Sequence, residues 1–151
     1  ERLPGWDELL LLCATREGSG NMEAKINAII ENKGLSGRVR LVTDFLDDDV
    51  AVATLAKCDL LVFPYQNTKE SASGAVRMGV ASGVPLAVTP IPIFDDIEGA
   101  IRMRGKSVDD IVASISMLKK EDLESSQKSI IELRDSLQWD EVAKRIQERL
   151  K

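Results

Sequence analysis

The chain has 151 residues, 44% hydrophobic and 30% charged, with a net charge of −5, the composition of one globular domain of ordinary size. That charge excludes a global attraction to nucleic acid or anionic lipid, and 4% aromatic residues leave little for a base-stacking surface. No histidine is present, which excludes Ser–His and Cys–His nucleophile pairs and any histidine base.

Residues 8–14 (ELLLLCA) form a continuous apolar run that reads as a buried strand. A polar, glycine-containing turn over 15–20 follows, then a helix over 21–33 with Met22, Ile26, Ile29 and Ile30 on one face and Gly34 at its end. Residues 38–42 alternate and predict a strand near a sheet edge. Residues 47–57 predict a second helix with Val50, Val52, Ala53, Leu55 and Ala56 apolar. Asp47, Asp48 and Asp49 open that helix, where acidic groups complement the dipole rather than gather a metal. Leu60 to Phe63 is too short for a helix and has no alternation, so it reads as a strand covered on both faces. A loop follows from Pro64, then a helix over 73–82 with Val76, Val80 and Ala81 on its inner face. Ser73 is placed to cap its start and Gly83 to close it in a left-handed conformation.

Residues 86–89 read as a fourth strand, 90–96 as an irregular connection and 101–104 as a short strand. Ser107 caps a helix with Val108, Ile111, Val112, Ile115 and Leu118 inward. A more polar helix covers 123–137, and Trp139, Val142, Ile146 and Leu150 stripe the last one. Cys13 and Cys58 sit in or beside apolar runs, as reduced thiols do, and two cysteines without histidine make no standard zinc site. No segment approaches about 18 apolar residues, the length that spans a membrane. Strands alternating with helices predict an α/β, Rossmann-like parallel sheet with helices on both faces and right-handed crossovers. Ligands of such sheets bind beyond the carboxyl ends of the strands. That places the candidate loops at 15–20, 43–47, 64–73 and 89–96.

The most informative stretch is 59–85, DLLVFPYQNTKESASGAVRMGVASGVP. A strand leads into a loop with one carboxylate, Glu70, and then into a helix that starts on small residues. The unpaired N–H groups of such a first turn, with the helix dipole, favour an anion. This segment resembles the C-terminal, nucleotide-sugar-binding domain of GT-B-fold glycosyltransferases, and more narrowly the large retaining group (the group 1, or family 4, type) that builds bacterial surface polysaccharides. The family's E-G-F-G maps onto Glu70, Ser71, Ala72 and Ser73, and its A-S-G-V-P onto residues 81–85. The stretch 38–64 is similar to the family's strand–helix–strand pattern ending in A-D. The closing LQWDEVAKRI resembles its final helix, so the likeness runs from about residue 8 to 151. Met78 stands where the family carries a second Glu that contacts the donor ribose, which a thioether cannot do. The chain is closer to branches with an S-G-A or S-G-T pattern that lack that Glu.

The resemblance implies transfer of a sugar from a UDP- or GDP-linked donor to a saccharide or lipid-linked hydroxyl acceptor, with no metal and no further cofactor. It gives Glu70 the catalytic-site role of gripping the donor sugar's hydroxyls. It places Ser71, Ala72, Ser73 and Gly74 around phosphate or sugar, Thr43, Asp44 and Phe45 in the loop along the nucleotide base, and Arg16 near base or phosphate. It further implies that residues 1–151 form a single domain that is a fragment, lacking the family's first strand–helix unit and the N-terminal acceptor domain, and inactive alone. The expected location is the cytoplasm, with the full-length protein at the inner face of the membrane. A non-catalytic module of the same fold, serving assembly or weak nucleotide binding, is the alternative that Met78 favours. A phosphoacceptor receiver domain shares the sheet type, but no Lys follows the strand ending at Thr89.

Overall fold

The computed structural model describes residues 5–13, 21–67 and 72–150. The chain divides into two compact units, Glu1–Asp47 and Asp48–Lys151.

In the first unit β1 (Leu9–Leu12) is followed by α1 (Met22–Asn32) and β2 (Val39–Val42). The strands pair in parallel, Leu9 opposite Val39 and Leu12 opposite Val42. Leu9 N–H donating to Arg38 O at 2.7 Å and Cys13 N–H donating to Val42 O at 2.9 Å frame the ladder. Gly34, at φ 63°, follows α1 as expected. Only Ile30 of α1 is buried; Met22 and Ile29, expected inward, are exposed.

The second unit holds α2 (Asp48–Leu55), β3 (Leu61–Phe63), α3 (Gly74–Ser82), β4 (Leu86–Val88), a 3-10 turn at Pro92–Phe94, β5 (Ile101–Arg102), and the helices α4 (Val108–Ser116), α5 (Lys120–Ser136) and α6 (Trp139–Arg149). Its sheet runs β3-β4-β5 and is parallel throughout, with Leu61 opposite Leu86 and Ala87 opposite Ile101. α3 packs against α2 and α5, and α5 also meets β4 and α6. The chain is thus an α/β fold of parallel strands flanked by helices, as the alternation predicts. β4 is buried along its whole length, which explains its continuous apolar run. Around it lie Val76 and Val80 of α3, Phe94 of the 3-10 turn and Ile130 of α5, all nearly inaccessible to water.

α3 can lie close to the sheet because of Gly79. A Cβ there would meet Leu86 Cδ2 and Phe63 Cζ, each at 3.1 Å. Gly83 ends the helix at φ 72°, and its N–H donates to Val80 O, the left-handed closure the sequence predicts.

Several faces differ from expectation. On α2, Ala51 is buried and Val50 is 51% exposed. The helix is apolar on nearly every side, so periodicity could not choose its inner face. Val108, in the first turn of α4, is exposed, and no residue of α6 is buried. β5 stops at Arg102 rather than at Arg104. Met103 N–H still donates to Val88 O at 2.9 Å, but Arg104 N–H turns to Ser114 Oγ at 2.9 Å. α5 begins at Lys120, three residues earlier than predicted, because the Asp122 carboxylate accepts from Lys119 N–H at 2.9 Å and satisfies the main chain at the helix start.

Candidate functional site

At the carboxyl end of the second unit's sheet, β3 gives way to the loop that begins at Pro64, and β4 to Thr89. Loop position is set from below. Thr89, fully buried, is held by its N–H donating to Phe63 O at 3.2 Å, and its hydroxyl donates to Tyr65 O at 2.7 Å. The Tyr65 ring leans on Phe94, centroids 5.2 Å apart, and meets Phe63 edge-on at 6.2 Å, within the range of favourable ring contacts. This leaves the phenol oxygen 3.0 Å from Ser73 Oγ, hydrogen-bonded to it.

Ser73 is the N-cap of α3. Its backbone is extended and its hydroxyl accepts from Val76 N–H at 3.4 Å, the role its place before the apolar run predicts. Although Ser73 is buried, its neighbours Ala72, Gly74 and Ala75 are exposed. A Cβ placed on Gly74 would meet no atom of another element within 4 Å among the described residues. Among the described residues, therefore, nothing covers the main-chain amides of the first turn of α3, which small residues flank, with the positive end of the helix dipole behind them. No acidic residue lies in that turn. Ser73→Ala should cost about 1 kcal/mol of stability through the lost cap, read as a lowered urea midpoint, and should also leave the Tyr65 hydroxyl without its partner.

Of the residues predicted at the site, Ala72, Ser73 and Gly74 are brought together here. Glu70 and Ser71 lie outside the described residues, as does Arg16. Thr43, Asp44 and Phe45 follow β2 in the first unit. Phe45, a residue type more often found in cores, is instead 84% exposed. Asp48 and Asp49 occupy the first turn of α2 as expected, and no cluster of three metal-ligating side chains occurs among the described residues. Asp96 pairs with Arg77 of α3. Both partners are well exposed, so this pair contributes at most about 1 kcal/mol. Tyr65 and Thr89 were not singled out from the sequence. Their one signal is position, immediately after strands β3 and β4. A separate concavity of about 410 Å³ lies beside β5, lined by Arg102, Arg104, Ser114 and Ser126 among others, and shares no residue with the α3 site.

No protein-family model matches the chain, and no curated protein matches it by sequence. A solved structure does: a sucrose-phosphate synthase from Thermosynechococcus elongatus superposes with a TM-score of 0.73 over 95% of this chain, at 15% sequence identity. The chain has a GT-B-like, Rossmann-type fold. It spans 37% of the length of that synthase chain. No helix among the described residues is long and apolar enough to cross a membrane.

Proposed function

We propose that this chain is the donor-binding domain of a glycosyltransferase that moves a sugar from a UDP- or GDP-linked donor to a hydroxyl acceptor. The observation that carries the reading is the first turn of α3 at the carboxyl end of β3 and β4, which no other described residue covers. The fold likeness to a sucrose-phosphate synthase supports it, as does the presence of Glu70 in the sequence just ahead of that helix. In the proposed reaction an acceptor oxygen bonds to the donor's anomeric carbon as the bond from that carbon to the diphosphate breaks. The acceptor's proton passes to an oxygen of the departing diphosphate, and the nucleoside diphosphate leaves as an anion. The amides of Gly74 and Ala75 stabilise the charge that develops on the leaving diphosphate, an electrostatic role that needs no metal. Glu70 accepts hydrogen bonds from the sugar's hydroxyls.

The chain spans 37% of the similar synthase. In this proposal, therefore, acceptor binding and the Arg and Lys that complete the diphosphate site belong to a further part of the full-length protein. That protein works in the cytoplasm, at the inner face of the membrane, in synthesis of bacterial surface polysaccharide by the retaining branch of the fold. Residues 1–151 as an isolated polypeptide are expected to turn over no donor, and a radiolabelled sugar-transfer assay checks this.

Met78 favours a second reading, a module of the same fold that binds nucleotide weakly and assembles with a partner. Calorimetric titration of the full-length protein with UDP and GDP, then with UDP- and GDP-sugars, separates the two. A transferase binds one of the pair with a micromolar to millimolar Kd, in the usual range for enzyme substrates. Absence of binding by all four ligands ends the donor-site reading.

A further inference from the structure

Lys106 lies in the segment between β5 and α4, half-buried, and nothing in the proposed chemistry uses it. Its Nζ donates to Asn67 Oδ1 at 2.7 Å, and its carbonyl oxygen accepts from Gln66 Nε2 at 3.0 Å. Two segments 39–40 residues apart are thereby tied at both a side chain and the main chain. The tie joins the loop after β3 to the loop after β5, the two strands that flank β4.

The tied loop is the one that reaches the helix cap. Pro64, Gln66 and Asn67 are exposed, so little apolar burial fixes this segment and directional bonds must do so. From the sheet side, Thr89 Oγ1 holds Tyr65 O. From the solvent side, only the bonds to Lys106 hold Gln66 and Asn67 among the described residues. Between these anchors sits Tyr65, whose hydroxyl meets Ser73 Oγ, and Ser73 Oγ accepts from Val76 N–H. An ammonium group bonded to an amide oxygen makes a charge-assisted bond, stronger than a neutral one, so the outer anchor is the firmer for being a lysine.

We infer that Lys106 is a positioning residue for the first turn of α3, acting through Asn67 and Gln66 on Tyr65 and through Tyr65 on the Ser73 cap. Its relevance to donor binding rests on the proposed nucleotide-sugar site; the physical linkage does not. The linkage is read by amide hydrogen exchange at Val76 in the full-length protein. Lys106→Met should accelerate that exchange about fivefold, the effect of losing one hydrogen bond, and Lys106→Arg, which can still reach Asn67, should restore it. Tyr65→Phe should accelerate the same amide, and adding Lys106→Met to Tyr65→Phe should change it no further. Asn67→Ala removes the bond from the other side and replaces Lys106→Met should that variant fail to fold. Unchanged exchange at Val76, or effects that add in the double variant, overturns the inference. Titrating UDP and GDP into the same proteins tests the other layer. Protection lost at Val76 with neither nucleotide bound by the parent protein leaves the linkage standing and removes the donor site.

Discussion

Phe94→Ala should destabilise the protein by about 3–5 kcal/mol, the range for deleting a fully buried ring. Phe94 is 0% exposed and lies between Phe63, at 6.4 Å, and Tyr65, at 5.2 Å. Its carbonyl oxygen also accepts from Arg102 Nη2 at 2.6 Å, which anchors the 3-10 turn to β5. Alanine keeps that backbone bond and removes only the ring, so the loss reports packing. The cavity opens directly beneath Tyr65, whose own ring contact is worth about 0.5–1.5 kcal/mol. A domain of this size has about 5–15 kcal/mol of stability in all, so the variant should unfold at a much lower urea concentration. Phe94→Leu refills part of the space and should lose less. A midpoint within error of the parent's would show that Phe94 is not the support of the site's aromatic platform.

What the sequence disclosed and what it withheld divide by the range of the interaction. The caps at Ser73 and Ser107 and the left-handed Gly83 involve partners three or fewer residues apart. Composition and spacing encode such contacts directly. The strand at Leu61–Phe63 was legible because a short, unbroken apolar run fits little else. Contacts made across the fold were not legible. Thr89 reaches Tyr65 over 24 residues, and Lys106 reaches Asn67 over 39. Neither a threonine after a strand nor a lysine before a helix announces a distant partner. Helix faces failed for another reason. Val50 and Ala51 are both apolar, and only tertiary packing chose the smaller one for burial. In α6 the stripe of Trp139, Val142, Ile146 and Leu150 marks a helix face correctly, yet none of these residues is buried. An amphipathic pattern specifies that a face exists, and the surrounding structure decides whether it is covered.

Gly74→Val is expected to separate binding from stability. Among the described residues, no atom of another element lies within 4 Å of a Cβ at position 74. Glycine in a helix is about 0.5–1 kcal/mol less favourable than alanine, so Gly74→Ala should leave the protein as stable as the parent or slightly more so. Valine forgoes part of that gain through its restricted rotamers. In the proposed donor site a diphosphate would cross this position to reach the amides of Gly74 and Ala75, and a branched side chain there would hold it off. Affinity for UDP or GDP should therefore fall at least tenfold, about 1.4 kcal/mol, with alanine intermediate and the unfolding midpoint unmoved. Ser73→Ala gives the contrasting pattern, in which stability and affinity decline together because the cap and the cradle are one structure. Should Gly74→Val bind nucleotide as tightly as the parent, no ligand approaches the backbone at the start of α3. The open turn would then be an ordinary solvated helix end.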